Sequence, residues 1–398
     1  MAEENDQKKV FAHLMTWFRT TAHSKRWEMW ESSFEQTPHD PERRRFNGQR
    51  DIAALDYPLT GVYDSSDPDA IEYQLLLMRL SGFDGVIVDW DGRRLNPYRH
   101  QALMELLPHL DRFGMQLIVC FEEWCGYWPP GTFESREAEI AAAREEARWL
   151  MTILASRDFY ATVRGRKPVL VFRKTPKQNF FPEEWAKIRE PVDEHGGSVI
   201  FPPGTDHQGF DPVVDGRFFW VGGFDPERRF LSIEDATRNY NTFLEASRQW
   251  DTRTDPPVVF GSAVSGFNDT PVWGWGNRPR SAPRYDGRRF ETTWQMSIDA
   301  GADVVQIVTW NDWNEGSHIE PSDDFGYRYL ELNKRYAAAF KGIPDNVPDD
   351  ALRLPLRLYK QRKSASDGEL HRRLDEVRDE LLSGNYREAQ QQLSVQKD

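Results

Sequence analysis

Asp303-Val304-Val305-Gln306-Ile307-Val308-Thr309-Trp310-Asn311-Asp312-Trp313-Asn314-Glu315-Gly316 is the stretch on which the reading of this chain turns. Its first half is apolar and β-branched, the composition of a strand buried on both faces. Its second half crowds two tryptophans, two asparagines and two carboxylates into the six residues 310–315, where the strand should end. Indole rings offer flat apolar faces for the C–H surface of a sugar, and carboxylates handle hydroxyl protons. Residues three apart on an extended strand point to opposite faces. For Asp312 and Glu315 to face one cavity the chain must leave strand geometry between them, and Gly316 tolerates such a departure. Paired carboxylates are the apparatus of glycoside hydrolysis, one as acid and the other as base or nucleophile.

Working outward, seven further apolar runs read as strands, at 10–18, 85–92, 116–124, 168–173, 198–203, 216–221 and 257–262. Two of them end in the same chemistry as the last, Asp89-Trp90-Asp91 and Glu122-Glu123-Trp124. Helical patterns fall between most of them, at 68–82, 97–113, 134–157, 182–193, 232–250 and 290–300, with another at 327–340. Asp67 followed by Pro68 reads as a helix start. Only the segment after the fifth strand lacks a clear helix. Eight strands alternating with helices predict an α/β fold, a (β/α)8 barrel with long loops, spanning 8–343. In that fold sites lie at the C-terminal strand ends, where the acids and tryptophans stand. An open doubly wound sheet is the alternative, but no glycine-rich phosphate loop accompanies it. Residues 344–398 read as a C-terminal extension, irregular over 349–363 and then helical. Its narrow stripe of Leu370, Leu374, Val377, Leu381 and Leu382 predicts packing on the barrel or on a partner, the latter making an oligomer through these helices.

The 398 residues carry a net charge of −13, with 39% hydrophobic and 29% charged side chains. That balance is soluble and globular, and its sign argues against nucleic acid as the main partner. No run approaches a membrane span, and the acidic, polar N-terminus lacks a signal peptide. The expectation is a cytoplasmic protein without a membrane partner, or a periplasmic or secreted one if a signal peptide has been removed. Fifteen Trp, 24 Phe and 13 Tyr exceed ordinary usage, and a sugar-binding cleft would use some of them. Trp17, Trp124, Trp220, Trp273 and Trp275 are candidate stacking residues beside Trp310 and Trp313, with Asn311 a hydrogen-bonding candidate. Asp89, Trp90 and Asp91 are read as sugar-contacting. Arg173 at the end of strand four binds either a hydroxyl or acidic sugar or a rim carboxylate. The two cysteines, Cys120 and Cys125, suit neither a disulfide framework nor a metal motif by spacing, and His13 reads as a core histidine.

The segment 310–316 resembles the signature of the clan that holds glycoside hydrolase families 71 and 99. Thr309-Trp310-Asn311-Asp312 is similar to the family 71 pattern, Trp313 and Glu315-Gly316 to that of family 99. Val10-Phe11-Ala12-His13 also resembles family 71, while 83–90 and 121–124 resemble family 99. The resemblance spans about 8–340 and implies a hydrolase of an α-linked glycan, α-mannoside or α-glucoside in type. It implies Glu315 as general acid and Asp312 as the partner carboxylate, with Glu122 matching a family 99 glutamate at strand three. Asp312 would activate water for inversion, or assist the sugar's own 2-hydroxyl through an anhydro-sugar with net retention. An oligo- or polysaccharide substrate is implied, and no metal or organic cofactor. A non-catalytic glycan-binding barrel, or one attached to surface-polysaccharide biosynthesis, is the alternative.

Overall fold

The computed structural model describes residues 8–123, 132–173, 180–201, 209–222, 224–225, 227–247, 249, 253 and 256–394. Among these, eight parallel strands close a barrel: β1 (Lys9–Leu14), β2 (Gly85–Trp90), β3 (Gln116–Glu122), β4 (Lys167–Phe172), β5 (Gly197–Phe201), β6 (Gly216–Phe218), β7 (Val258–Val264) and β8 (Val304–Val308). Neighbours in the ring are neighbours in sequence, and the ring is sealed by β1 against β8, with Lys9 opposite Val304 and Ala12 opposite Ile307. The expected (β/α)8 architecture is therefore the observed one.

Alternation along each strand sorts side chains into two cores. Phe11, Ile87, Ile118, Cys120, Leu170, Ile200, Phe218, Phe260 and Val304 fill the barrel interior. The alternate residues, among them Val10, Ala12, Val86, Val88, Trp90, Val119, Phe121, Val305 and Ile307, pack outward beneath the helices. Two of those helices are α1 (Pro68–Leu80), started by the Asp67 side chain and Pro68 as expected, and α2 (Pro97–Phe113). Between β5 and β6 the described residues hold only a single 3-10 turn, Asp211–Val213, in keeping with the weak pattern there.

Residues 349–363 are not irregular as expected. They form a 3-10 turn and a helix, α3 (Leu354–Ser364), followed by α4 (Gly368–Leu382) and α5 (Tyr386–Gln392). Of the expected apolar stripe, Leu374, Val377 and Leu381 are buried within this chain, while Leu370 and Leu382 are half-buried. Arg362 and Arg378 reach Glu72 of α1, itself buried, at 3.1 and 3.5 Å. Among the described residues no helix is long and apolar enough to cross a membrane.

Candidate active site

The catalytic carboxylates expected from the sequence sit on the loop that leaves β8. The Trp310 amide donates to the His13 carbonyl (2.8 Å), so the loop is anchored on β1. Thr309 Oγ1 accepts from the Asp312 amide (2.9 Å), and Asp312 Oδ1 accepts from the Glu315 amide (3.0 Å). This side-chain-to-backbone turn is what breaks the strand and brings two residues three apart to one place. Gly316 completes it at φ +57°. A Cβ there would stand 3.1 Å from the Asn268 carbonyl, and the Asn268 amide donates to the Glu315 carbonyl at 2.6 Å. Gly316→Ala is expected to cost about 1–3 kcal/mol, read as a lowered urea midpoint; an unchanged midpoint would show the turn to be relaxed.

The loop after β7 supplies the partners of Glu315. The short antiparallel pair Phe267–Asn268 with Ser281–Ala282 frames it. Trp275 donates its indole N–H to Glu315 Oε1 at 2.8 Å, and Arg280 stands 3.8 Å from the same oxygen. Arg280 is itself held by the buried Asp269 at 2.8 Å. Trp273, Gly274, Trp275 and Gly276 all have positive φ, +43°, +55°, +55° and +88°. Two tryptophans in that region mark a strained turn of the kind that collects at functional sites.

Asp312 is buried, and its carboxyl is pushed well above the usual range. Burial is the main cause, and the negative charges of Glu315 and Asp89 add to it. Behind it, the buried Tyr63 hydroxyl accepts from Asn311 Nδ2 (3.0 Å) and Trp313 Nε1 (3.2 Å) and donates to Glu320 Oε2 (2.8 Å). Burial raises Glu320 to about 8. Tyr63→Phe would leave the indole N–H and the Glu320 carboxyl without this partner. An expected loss of about 2–4 kcal/mol in a denaturant titration follows from orphaned polar groups in a network, and a loss below about 0.5 kcal/mol would show that the hub is not structural.

The other expected contacts divide. Glu122 and Asp89 point into the barrel interior beneath the pair, by strand parity and burial. Asp91 is engaged by Arg99 through both oxygens, at 3.1 and 2.8 Å. Trp90 lies on the outward parity, wholly buried against Trp149, with ring centres 5.4 Å apart, and presents no face to a sugar. Trp310 and Trp313 are likewise fully buried. Trp313 stacks on His318 at 3.8 Å, a histidine that burial pushes down to about 4. Asn311 uses its amide to clamp the Met15 backbone from both sides, 2.8 and 3.0 Å, rather than a substrate. Arg173 pairs with the buried Glu123 at 3.1 Å and lies over Phe210, so it is the rim ion pair of the two readings. Burial, opposed by Arg173, leaves Glu123 at about 7. Trp17 and Trp220 are half-buried, the latter edge-on to His13 at 4.7 Å inside the barrel mouth. Trp124 lies outside the described residues. Sequence reading missed Tyr63, Glu320, Asp269 and Arg280; the first sits in a stretch with no periodicity, and the others carry no motif of their own.

The family model described as "Glycosyltransferase WbsX" matches residues 229–333, which include both carboxylates. The chain is 22% identical to a glycoprotein endo-alpha-1,2-mannosidase-like protein of Danio rerio, over 74% of this chain and 69% of that one. It is 19% identical to the Homo sapiens protein of the same description, over 75% and 67%. In fold it is similar to the GH99 endo-alpha-mannosidase of Bacteroides thetaiotaomicron, with a TM-score of 0.61 at 18% identity, covering 84% of this chain and 97% of that one. A glycoside hydrolase-like protein superposes with a TM-score of 0.57 at 12% identity, over 84% and 95%.

Proposed function

We propose that this chain, a glycoside hydrolase family 99-like barrel, hydrolyses an α-mannosidic bond within a glycan. The observation that carries the reading is the turn that presents Asp312 and Glu315 together at the end of β8. Glu315 is the partly exposed member, with Trp275 beside it, and is placed to protonate the departing glycosidic oxygen. Asp312 is the deeper one. A carboxylate raised by burial and by like charge is a stronger base once ionised. That suits a group that takes a proton from water or from the sugar's 2-hydroxyl. For the chemical step Glu315 must carry a proton and Asp312 must not.

Glycosyl transfer is the second reading, favoured by the description of the model that matches 229–333. Hydrolysis and transfer to a sugar hydroxyl differ only in the acceptor. A nucleotide-sugar donor fits the site poorly. Asp89, Glu122 and Glu315 gather negative charge that repels a diphosphate, while Arg280 and Arg173 are paired with Asp269 and Glu123.

The test is product release from α-mannans, α-glucans and their oligosaccharides, followed by NMR, with and without an added acceptor sugar. Free reducing sugar from a mannan supports hydrolysis, and the first anomer to appear assigns Asp312 as water-activating or hydroxyl-assisting. Products formed only with acceptor would replace hydrolysis by transfer. Binding without turnover would make the barrel a glycan-binding protein.

A further inference from the structure

Spacing in the sequence gives the cysteines no metal partners, yet the barrel brings Cys120 of β3 beside His13 of β1 and Asp89 of β2. One ligand atom from each, a ring nitrogen, a carboxylate oxygen and Sγ, lies within 4.8 Å of the others, and all three side chains are buried. They occupy adjacent strands on the inward parity, beneath the carboxylate pair. His13 Nδ1 and Asp89 Oδ1 have no hydrogen-bond partner.

The tautomer of His13 is fixed from its other side. Gln306 Nε2 donates to the Phe219 carbonyl (2.7 Å) and to Ser262 Oγ (3.0 Å), which orients the amide so that its oxygen faces the imidazole. Gln306 Oε1 is 2.8 Å from His13 Nε2, which must therefore be the protonated nitrogen. Nδ1 is left to face Asp89 Oδ1 at 3.5 Å. That distance exceeds the roughly 2.7–2.9 Å of a charge-assisted N–H···O bond. It is close to the edge of about 3.3–3.4 Å between two ligands of a tetrahedral ion with bonds of about 2.0–2.1 Å. A metal-binding histidine ordinarily donates its other ring N–H to an oriented acceptor, which is the role Gln306 has here. Among the described residues no lysine or arginine pairs with Asp89.

We propose that His13, Asp89 and Cys120 form a site for one divalent ion of the Zn2+ class. Imidazole nitrogen, carboxylate oxygen and thiolate sulfur together select a borderline-soft ion over Mg2+ or Ca2+. Binding releases the thiol proton to solvent and forms three protein–metal bonds without redox change. The ion ties three adjacent strands at the floor of the mouth, and its charge offsets the carboxylates above.

The test uses the full chain, stripped with a chelator, dialysed against Zn2+ or Co2+ and passed through a desalting column. The expected result is about one ion retained per chain, a thiolate-to-cobalt charge-transfer absorption and a melting temperature that rises on reloading. The absorption should vanish in Cys120→Ser and persist in Cys125→Ser, and His13→Gln should weaken retention at least tenfold, with circular dichroism confirming that each variant is folded. Wild-type chain that retains no ion overturns the site, whatever the variants do. Retention that is the same without Cys120 and without His13 overturns it equally.

Discussion

Glu315→Gln is expected to lower kcat/KM on an α-mannan by about 10³-fold, within the usual range for removal of a general acid. The amide keeps the size of the side chain and an oxygen for the Trp275 indole, so the turn at Gly316 and the folded state should be preserved. What is lost is the proton for the departing sugar oxygen. The deficit should therefore depend on the leaving group. An aryl α-mannoside whose phenol departs unaided needs no acid, and on that substrate the variant should recover to within about tenfold of wild type. An equal deficit on both substrates would remove Glu315 from the acid role and leave it a binding group.

Asp312→Asn is expected to reduce activity by about 10²–10⁴-fold while raising stability at neutral pH. The two effects have one cause. Burial and the charges of Glu315 and Asp89 raise the folded-state pKa above the unfolded value of about 3.9. A group shifted in that direction contributes stability that is complete below the unfolded value and is lost as pH rises through the folded one. The neutral amide does not suffer that loss. The melting temperature of Asp312→Asn should therefore exceed that of wild type near pH 7, with the gap closing towards pH 3–4, where the aspartate is protonated in both states. A gap that is constant across this range, or of opposite sign, would show that the carboxylate is not held under electrostatic strain. A site that destabilises its own fold is the ordinary stability–activity trade-off.

Much of this architecture is legible without coordinates. The strands are continuous apolar runs because both faces of a parallel barrel strand are covered, and their ends carry the acids. The same continuity hides which face a residue takes. Asp89 and Trp90 look alike as strand-end residues, yet parity sends the acid inward and the indole out under the helices. Trp310 and Trp313 stand beside the carboxylates in sequence, but the turn that exposes Glu315 folds both rings into the core. Arg173 is ambiguous in sequence for the same reason, since its direction depends on where β4 stops. The helix Leu354–Ser364 is hidden in a basic stretch without a clear apolar stripe of its own. Glu72 supplies the missing half of the pattern from 290 residues away. His13, Asp89 and Cys120 share no motif at all, and only the register of three strands makes them neighbours.

The seam between β1 and β8 has a consequence for how the protein is made. Lys9–Ala12 wait for Val304–Ile307 before either edge is covered, and α1 waits longer still for Arg362 and Arg378. A ribosome emitting the chain at about 5–20 residues per second leaves the N-terminal strand unpaired on one side for at least about fifteen seconds. During that interval an apolar edge is open to other nascent chains. Closure of the barrel is thus tied to the emergence of β8, and a nonsense mutation before Val304 should yield an aggregate or a chaperone client rather than a shortened enzyme.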